Sequence, residues 1–270
     1  MSTKKTKVVK KIVKKSTPKK VVSKSVSKKT EKKVVVKKAV KAPKPPKKTS
    51  EVSLEALLES GAHFGHQVRR WNPKVRDYVY GAQDGVHIFD LVKTKAALEE
   101  ALNEIKKAKA SGKSILLLGT KKQIKEKVAE VAISSGVSYV NERWLGGTIT
   151  NFDQIKKSIA KLDDLKTNMA SGGFAKYTKK ERVLIEREIA RLERFFGGIS
   201  TLKEKPDMII VVDIRREATA IREAKRKGVA TVGIVDTNAD PDDVDFPIPM
   251  NDDATKALVY VLDLIGEVLK

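Results

Sequence analysis

From Ser114 to the C-terminus, short apolar runs alternate with longer stretches in which apolar residues recur every three or four positions. Ile115-Leu-Leu-Leu118 and Met208-Ile-Ile-Val-Val212 contain no polar side chain, as a strand covered on both faces requires. Strands are predicted there and at 138–140, 230–235 and 247–249, with helices at 122–134, 217–227 and 254–269. Strand and helix in turn imply a doubly wound α/β domain, a parallel sheet with helices on both faces. Upstream, 53–60 reads as a short capped helix ended by Gly61, and 78–80 and 86–89 as a hairpin turning at Gln83-Asp-Gly85. A helix follows at 93–109, with Leu98, Leu102 and Ile105 on its apolar stripe.

The alternation stops between 150 and 203. Ile155, Ile159, Leu162 and Leu165 mark one long helix, and Ile185, Ile189, Leu192 and Phe196 a second at near-heptad spacing. Gly172-Gly173 breaks the chain between them, which predicts an antiparallel coiled-coil helical hairpin inserted into the α/β domain. The domain then comprises 51–149 and 204–270, and the hairpin 150–203. A second helix over 178–196 spans roughly 28 Å at 1.5 Å per residue, an arm long enough to touch something beyond its own domain.

Charge adds a third part. The 270 residues carry a formal net charge of +22. Residues 1–50 hold twenty lysines, no arginine and one acid, Glu31, so +19 sits there and +3 on the rest. Such a segment buries too little apolar surface to offset the entropy of ordering it. A disordered basic tail is predicted over 1–50, with Ala42-Pro-Lys-Pro-Pro46 an extended spacer before the fold. A polycation of this kind seeks phosphate. The chain has no cysteine, hence no disulfide and no thiolate metal site. Its apolar runs are too short to cross a bilayer and no signal-peptide core is visible, so a cytoplasmic location without a membrane partner is expected.

Residues 61–74 gather two of the three histidines, Arg69, Arg70, Lys74 and one of the two tryptophans, Trp71. Asn72-Pro73 and two glycines mark the stretch as a turn-rich loop. Cations around a flat aromatic suit a gripped phosphate beside a stacked base or ribose. Arg143-Trp144-Leu-Gly-Gly-Thr148 repeats that chemistry just ahead of the hairpin. Gly119-Thr-Lys121-Lys122 is a strand-to-helix turn whose amides can receive a phosphate. The candidate RNA contacts are therefore Arg69, Arg70, Trp71, Lys74, Arg76, Lys121, Lys122, Arg143 and Trp144, joined by Lys156, Lys157, Lys179 and Lys180 on the hairpin. They form a distributed surface, not a catalytic pocket.

Some patterns invite an enzymatic reading. Gly112-Lys-Ser114 resembles the end of a P-loop, but Lys107 stands where the first glycine belongs and the triplet precedes its strand. His63 and His66 lie three apart, and the carboxylates of 236–245, Asp236 and Asp240 among them, follow a buried strand. Together they are a candidate cation site, and a metal-dependent α/β enzyme acting on a nucleotide is the alternative they support. The plainer reading makes them hydrogen-bonding turn residues. No Ser/His/Asp ordering and no carboxylate pair in unlike surroundings stands out. Neither a catalytic residue, a cofactor nor a small-molecule substrate is expected.

Several runs resemble, in order, the bacterial small-subunit ribosomal protein two family. They are Leu54-Glu-Ala-Leu-Leu-Glu-Ser-Gly-Ala-His-Phe-Gly-His-Gln67, Arg69 with Trp71-Asn-Pro73 and Lys74, Leu118-Gly-Thr-Lys121, Arg143-Trp-Leu-Gly-Gly147 and Thr150-Asn151. Pro206-Asp-Met-Ile-Ile-Val-Val-Asp213 follows with Glu217, Ile221 and Glu223, then Ile234-Val-Asp-Thr-Asn-Ala-Asp-Pro241 and Asn251-Asp-Asp-Ala254. The resemblance covers nearly all of 52–270 and implies a flavodoxin-like fold with a protruding coiled-coil hairpin. It implies a non-catalytic role, binding 16S ribosomal RNA on the solvent side of the small subunit between head and body. Other small-subunit ribosomal proteins are implied as partners, with a part in recruiting the large mRNA-binding ribosomal protein one. Family members begin near Val52, so nothing is implied for 1–50.

Overall fold

Residues 52–270 are described by a computed structural model; the basic segment 1–50, expected to be disordered, lies outside the described residues. The elements in chain order are α1 (Leu54–Glu59), β1 (Phe64–Gln67), β2 (Val79–Gln83), β3 (Val86–Phe89), α2 (Leu91–Ala110), β4 (Ile115–Leu118), α3 (Lys125–Ser135) and β5 (Ser138–Val140). Then come α4 (Phe152–Ala170), α5 (Lys179–Phe196), β6 (Met208–Val211), α6 (Ala218–Lys227), β7 (Ala230–Val235), β8 (Phe246–Pro249) and α7 (Thr255–Leu269). Among the described residues, no helix is long and apolar enough to cross a membrane.

The apolar runs form a parallel sheet in the order β5-β4-β6-β7-β8. This is the flavodoxin-like winding, whose direction reverses between β4 and β6. Every residue of β4 and β6 is buried because both faces are covered. Strand side chains alternate between faces, which divides the core in two. Leu117, Ile210 and Val232 meet Leu98 and Ile105 of α2, Val128 of α3, and Val261 and Leu262 of α7. Leu116, Leu118, Ile209 and Val211 meet Ala220, Ile221 and Ala224 of α6.

The second face also receives the base of the helical hairpin. Ile155, Ile159 and Leu162 of α4 and Ile189, Leu192 and Phe196 of α5 belong to the same buried cluster as the sheet. Toward the tip the stripe opens, leaving Met169 and Leu184 exposed. Lys161 and Glu188, 3.2 Å apart, face each other across the antiparallel pair, and Lys166 reaches Glu193 at 2.7 Å. A capping box starts α5, in which Thr178 and Glu181 bond each other's backbone amides.

The opening stretch differs from expectation. Residues 64–67, read as part of a turn-rich loop, form β1, which pairs antiparallel with β3 in a small sheet ordered β1-β3-β2. Tertiary contact explains it: a Cβ on Gly65 would lie 2.6 Å from the Thr237 methyl and 3.2 Å from the His87 carbonyl oxygen. Only glycine lets the strand lie that close to the end of β7. The β2–β3 turn is as expected, with Asp84 at φ 51° and Gly85 at φ 77°, the paired left-handed geometry of a tight hairpin.

Candidate nucleic-acid interface

The loops leaving β4, β5, β6 and β7 emerge together at the C-terminal edge of the sheet, where ligands of such folds gather. There the loop at 68–78 is stitched to the end of β7. The His66 amide donates to the Thr237 hydroxyl (2.8 Å), and the Asn72 amide to the Thr237 carbonyl (2.7 Å). Asn72 also caps the 3-10 turn Pro73–Tyr78 by accepting from the Lys74 amide at 3.1 Å. Arg69, Arg70 and Arg76 are left exposed, without a carboxylate partner among the described residues. Lys74 bridges Asp240 and Asp242, both at 2.8 Å, and these carboxylates hold its pKa above the usual lysine range. Trp71 is half-buried, its ring tilted against His87 with centroids 4.8 Å apart.

The loop after β5 is organised by a carboxylate from α6. Glu223 accepts from the Trp144 indole N–H (3.2 Å) and the amides of Gly147 (2.8 Å), Ile149 (3.1 Å) and Thr150 (3.1 Å). The Thr150 hydroxyl adds a further donor. Burial pushes the Glu223 carboxyl up, but these hydrogen bonds outweigh it and hold the pKa below its ordinary value. Trp144 is consequently only 7% exposed, a wall of the loop and not an open stacking platform. Arg143 beside it is exposed.

Lys121 also differs from the expectation of an outward phosphate contact. It is 8% exposed and lies 3.1 Å from Asp213, 2.8 Å from Asp252 and 2.9 Å from Asp253. Burial alone would push its ammonium down, but these carboxylates raise its pKa overall. Burial and the neighbouring charges of Asp213 and Asp236 push Asp252 up to about 7. Lys122, the next residue, is exposed.

Of the four candidate cation ligands, His66 and Asp236 come together, with His66 Nδ1 3.1 Å from Asp236 Oδ2. The Asp236 carboxylate raises the His66 pKa. His63 stays apart, its ring against Phe64 at 4.0 Å, and Asp240 faces Lys74. The physical reason is that the two histidines do not share a helical turn: His63 lies in the turn before β1 and His66 within that strand, whose pairing with β3 is irregular between Phe64 and Gln67. His66, Asp252 and Asp253 do bring one ligand atom each within 4.8 Å of one another, a spacing suited to a divalent cation. The Lys121 ammonium already supplies positive charge to two of those three.

Lys156 and Lys157 are exposed on α4, and Lys179 and Lys180 on the first turn of α5. The structure does not bring these four to the sheet edge. Conversely, it places two unflagged arginines there. Arg215 and Arg216, exposed just beyond β6, sit beside Lys121, His66 and Asp213 around one cleft. Their signal was available: an Arg pair two residues after a fully apolar strand must lie at the strand's C-terminal end.

The family description "Ribosomal protein S2" matches residues 57–270. The chain belongs to the ribosomal protein S2 family. A relative of this S2-family chain from Prochlorococcus marinus (strain NATL1A) is 46% identical over 218 residues, covering 81% of the chain and 95% of the relative. Another, from Roseiflexus sp. (strain RS-1), is 48% identical over 216 residues, covering 80% and 82%. Both carry the name Small ribosomal subunit protein uS2.

Proposed function

We propose that the chain is a structural, non-catalytic constituent of the small ribosomal subunit that binds 16S ribosomal RNA. The observation that supports this most is likeness to a uS2 protein across 218 residues, in order and through both the sheet and the hairpin. Phosphates are contacted by cations that are exposed and without carboxylate partners among the described residues: Arg69, Arg70, Arg76, Lys122 and Arg143 at the sheet edge, and Lys156, Lys157, Lys179 and Lys180 along the hairpin. The open face of Trp71 is available to a base or ribose. Lys74, Lys121 and Trp144 shape the loops that carry these residues. The partners are ribosomal RNA and neighbouring small-subunit proteins in the cytoplasm, and the resemblance adds a part in placing the large mRNA-binding ribosomal protein one.

Sedimentation tests the reading. A tagged chain should co-migrate with small subunits at moderate salt, and a chain that stays in the free-protein fractions would overturn it. Depleting the chain should release the mRNA-binding ribosomal protein one from subunit fractions. Its unchanged retention would remove that part alone.

A further inference from the structure

A second cavity opens beside the Lys121 cluster. It holds about 460 Å³ and is lined by Thr120 after β4, Glu142, Arg143 and Trp144 after β5, and Arg216 and Glu217 after β6. It therefore flanks the β4–β6 reversal, and its volume falls within the roughly 300–1,000 Å³ of small-ligand sites.

Its polar groups are unevenly satisfied. Arg143 and Arg216 are exposed and have no carboxylate partner among the described residues. Glu142 at the rim cannot serve them, because Lys125 (3.0 Å) and Arg194 (2.7 Å) already hold it. Arg216 Nε donates to the Thr120 hydroxyl (2.9 Å), which in turn donates to Glu217 Oε1. That relay fixes the guanidinium with its terminal N–H groups free. Glu217 is only 5% exposed, yet its second carboxyl oxygen has no partner among the described residues. Burial pushes the Glu217 pKa up, so the cavity floor favours a neutral donor over a second anion. The Trp144 N–H is turned away to Glu223, which leaves its ring as an apolar wall.

Two free guanidinium forks call for an anion with several acceptor oxygens, and phosphate fits them bidentately. An unpaired acceptor at the floor calls for a hydroxyl close to that phosphate. A ribonucleotide carries both, and DNA lacks the 2′-hydroxyl. We propose that this cavity binds one unpaired ribonucleotide unit of an RNA strand, with Arg143 and Arg216 on its phosphate and the free Glu217 oxygen accepting from its 2′-hydroxyl. The assignment rests on the RNA-binding reading above and adds a site at which RNA is told from DNA.

Fluorescence anisotropy of the full-length chain tests it. The probes are a labelled ten-nucleotide single-stranded RNA and its DNA and 2′-O-methyl counterparts, at salt high enough to suppress nonspecific binding. The chain should favour the RNA over both counterparts by about fivefold, the size of one net hydrogen bond. Glu217→Ala should erase that preference, lowering RNA affinity more than DNA affinity even though both lose some of the Arg216 grip that the relay through Thr120 holds in place, whereas Glu217→Gln, which keeps an accepting oxygen, should retain most of it. Arg143→Ala should weaken RNA and DNA alike; Arg143 is exposed and unpartnered, so this variant keeps its fold. Equal affinity of the unaltered chain for RNA and DNA would overturn the proposal. So would a preference that survives Glu217→Ala, or displacement of the strand by a free ribonucleoside 5′-monophosphate at equal concentration. A chain that fails this test but still sediments with small subunits keeps its ribosomal role, whereas one that fails both loses the RNA reading altogether.

Discussion

Lys121 at the end of β4 and Lys179 at the start of α5 look alike in sequence, since each is a lysine beside a second lysine in a basic stretch. Their surroundings separate them. Lys121 is buried among Asp213, Asp252 and Asp253, because a desolvated ammonium costs several kcal/mol unless it is paired. Lys179 is exposed in the first turn of a helix, where unpaired backbone N–H groups already give a positive potential. A cation there lowers helix stability slightly. Its placement makes sense for a phosphate outside the chain, not for the fold. Cations that look equivalent therefore divide into those that hold the protein together and those that face outward.

The hairpin puts that division to its severest test. Replacing 163–188 with a short linker should leave a folded chain, because Lys161 and Glu188 already face each other across the arm. Extending the cut to 152–199 removes Ile155, Ile159, Leu162, Ile189, Leu192 and Phe196 from the core. Their burial is worth on the order of 10 kcal/mol, comparable with a domain's whole stability. The shorter deletion should melt cooperatively and the longer should not, as read by circular dichroism. Cooperative melting of both would make the hairpin a separate unit.

Lys121→Met should come next in size, at about 3–5 kcal/mol in urea unfolding, since it strands three carboxylates. If stability held and only RNA affinity fell, Lys121 would belong with the outward group. Glu223→Gln should cost about 2 kcal/mol at pH 7, the scale of hydrogen bonds to a charged group. The folded pKa of Glu223 is depressed, so its contribution is present above the unfolded carboxylate value and lost as pH falls through the folded value. The two melting temperatures should therefore converge in acid; a gap that widened there would refute the depressed pKa. The smallest effect concerns the tip. Changing Lys179 and Lys180 together to Gln should leave stability within about 0.5 kcal/mol. The same change should lower the slope of log affinity for RNA against log salt by about 1.5. An unchanged slope would show that the tip does not meet phosphate.

The sheet was legible because burial on both faces leaves no place for polar residues, and the runs at 115–118 and 208–212 have none. The hairpin was legible from its two stripes. That its base belongs to the core was not, because a stripe facing a partner helix and one also facing a sheet read the same. Strand β1 was hidden because Phe64-Gly-His-Gln67 is held by pairing with β3 and by contact with Thr237, not by its own propensity. The site was half visible. Arg69, Arg143 and Lys122 were placed by local chemistry alone, whereas the inward turn of Lys121 depends on acids 92 to 132 positions away in sequence. Glu223 carried no signal of its own, since a glutamate on a basic helix is ordinarily solvated.

The stitch between His66 and Thr237 joins residues 171 positions apart. A similar bond from the Ser53 amide to the Tyr260 hydroxyl spans 207. Chain elongation at roughly 5–20 residues per second separates the synthesis of His66 and Thr237 by about 9 to 34 s. Throughout that interval β1 has no end of β7 to rest on, and the loop bearing Arg69, Arg70 and Arg76 has no anchor. The first part of the fold to be made is thus among the last to gain all its anchors, and a nascent chain stalled before Thr237 carries its basic loop without the stitch to the end of β7.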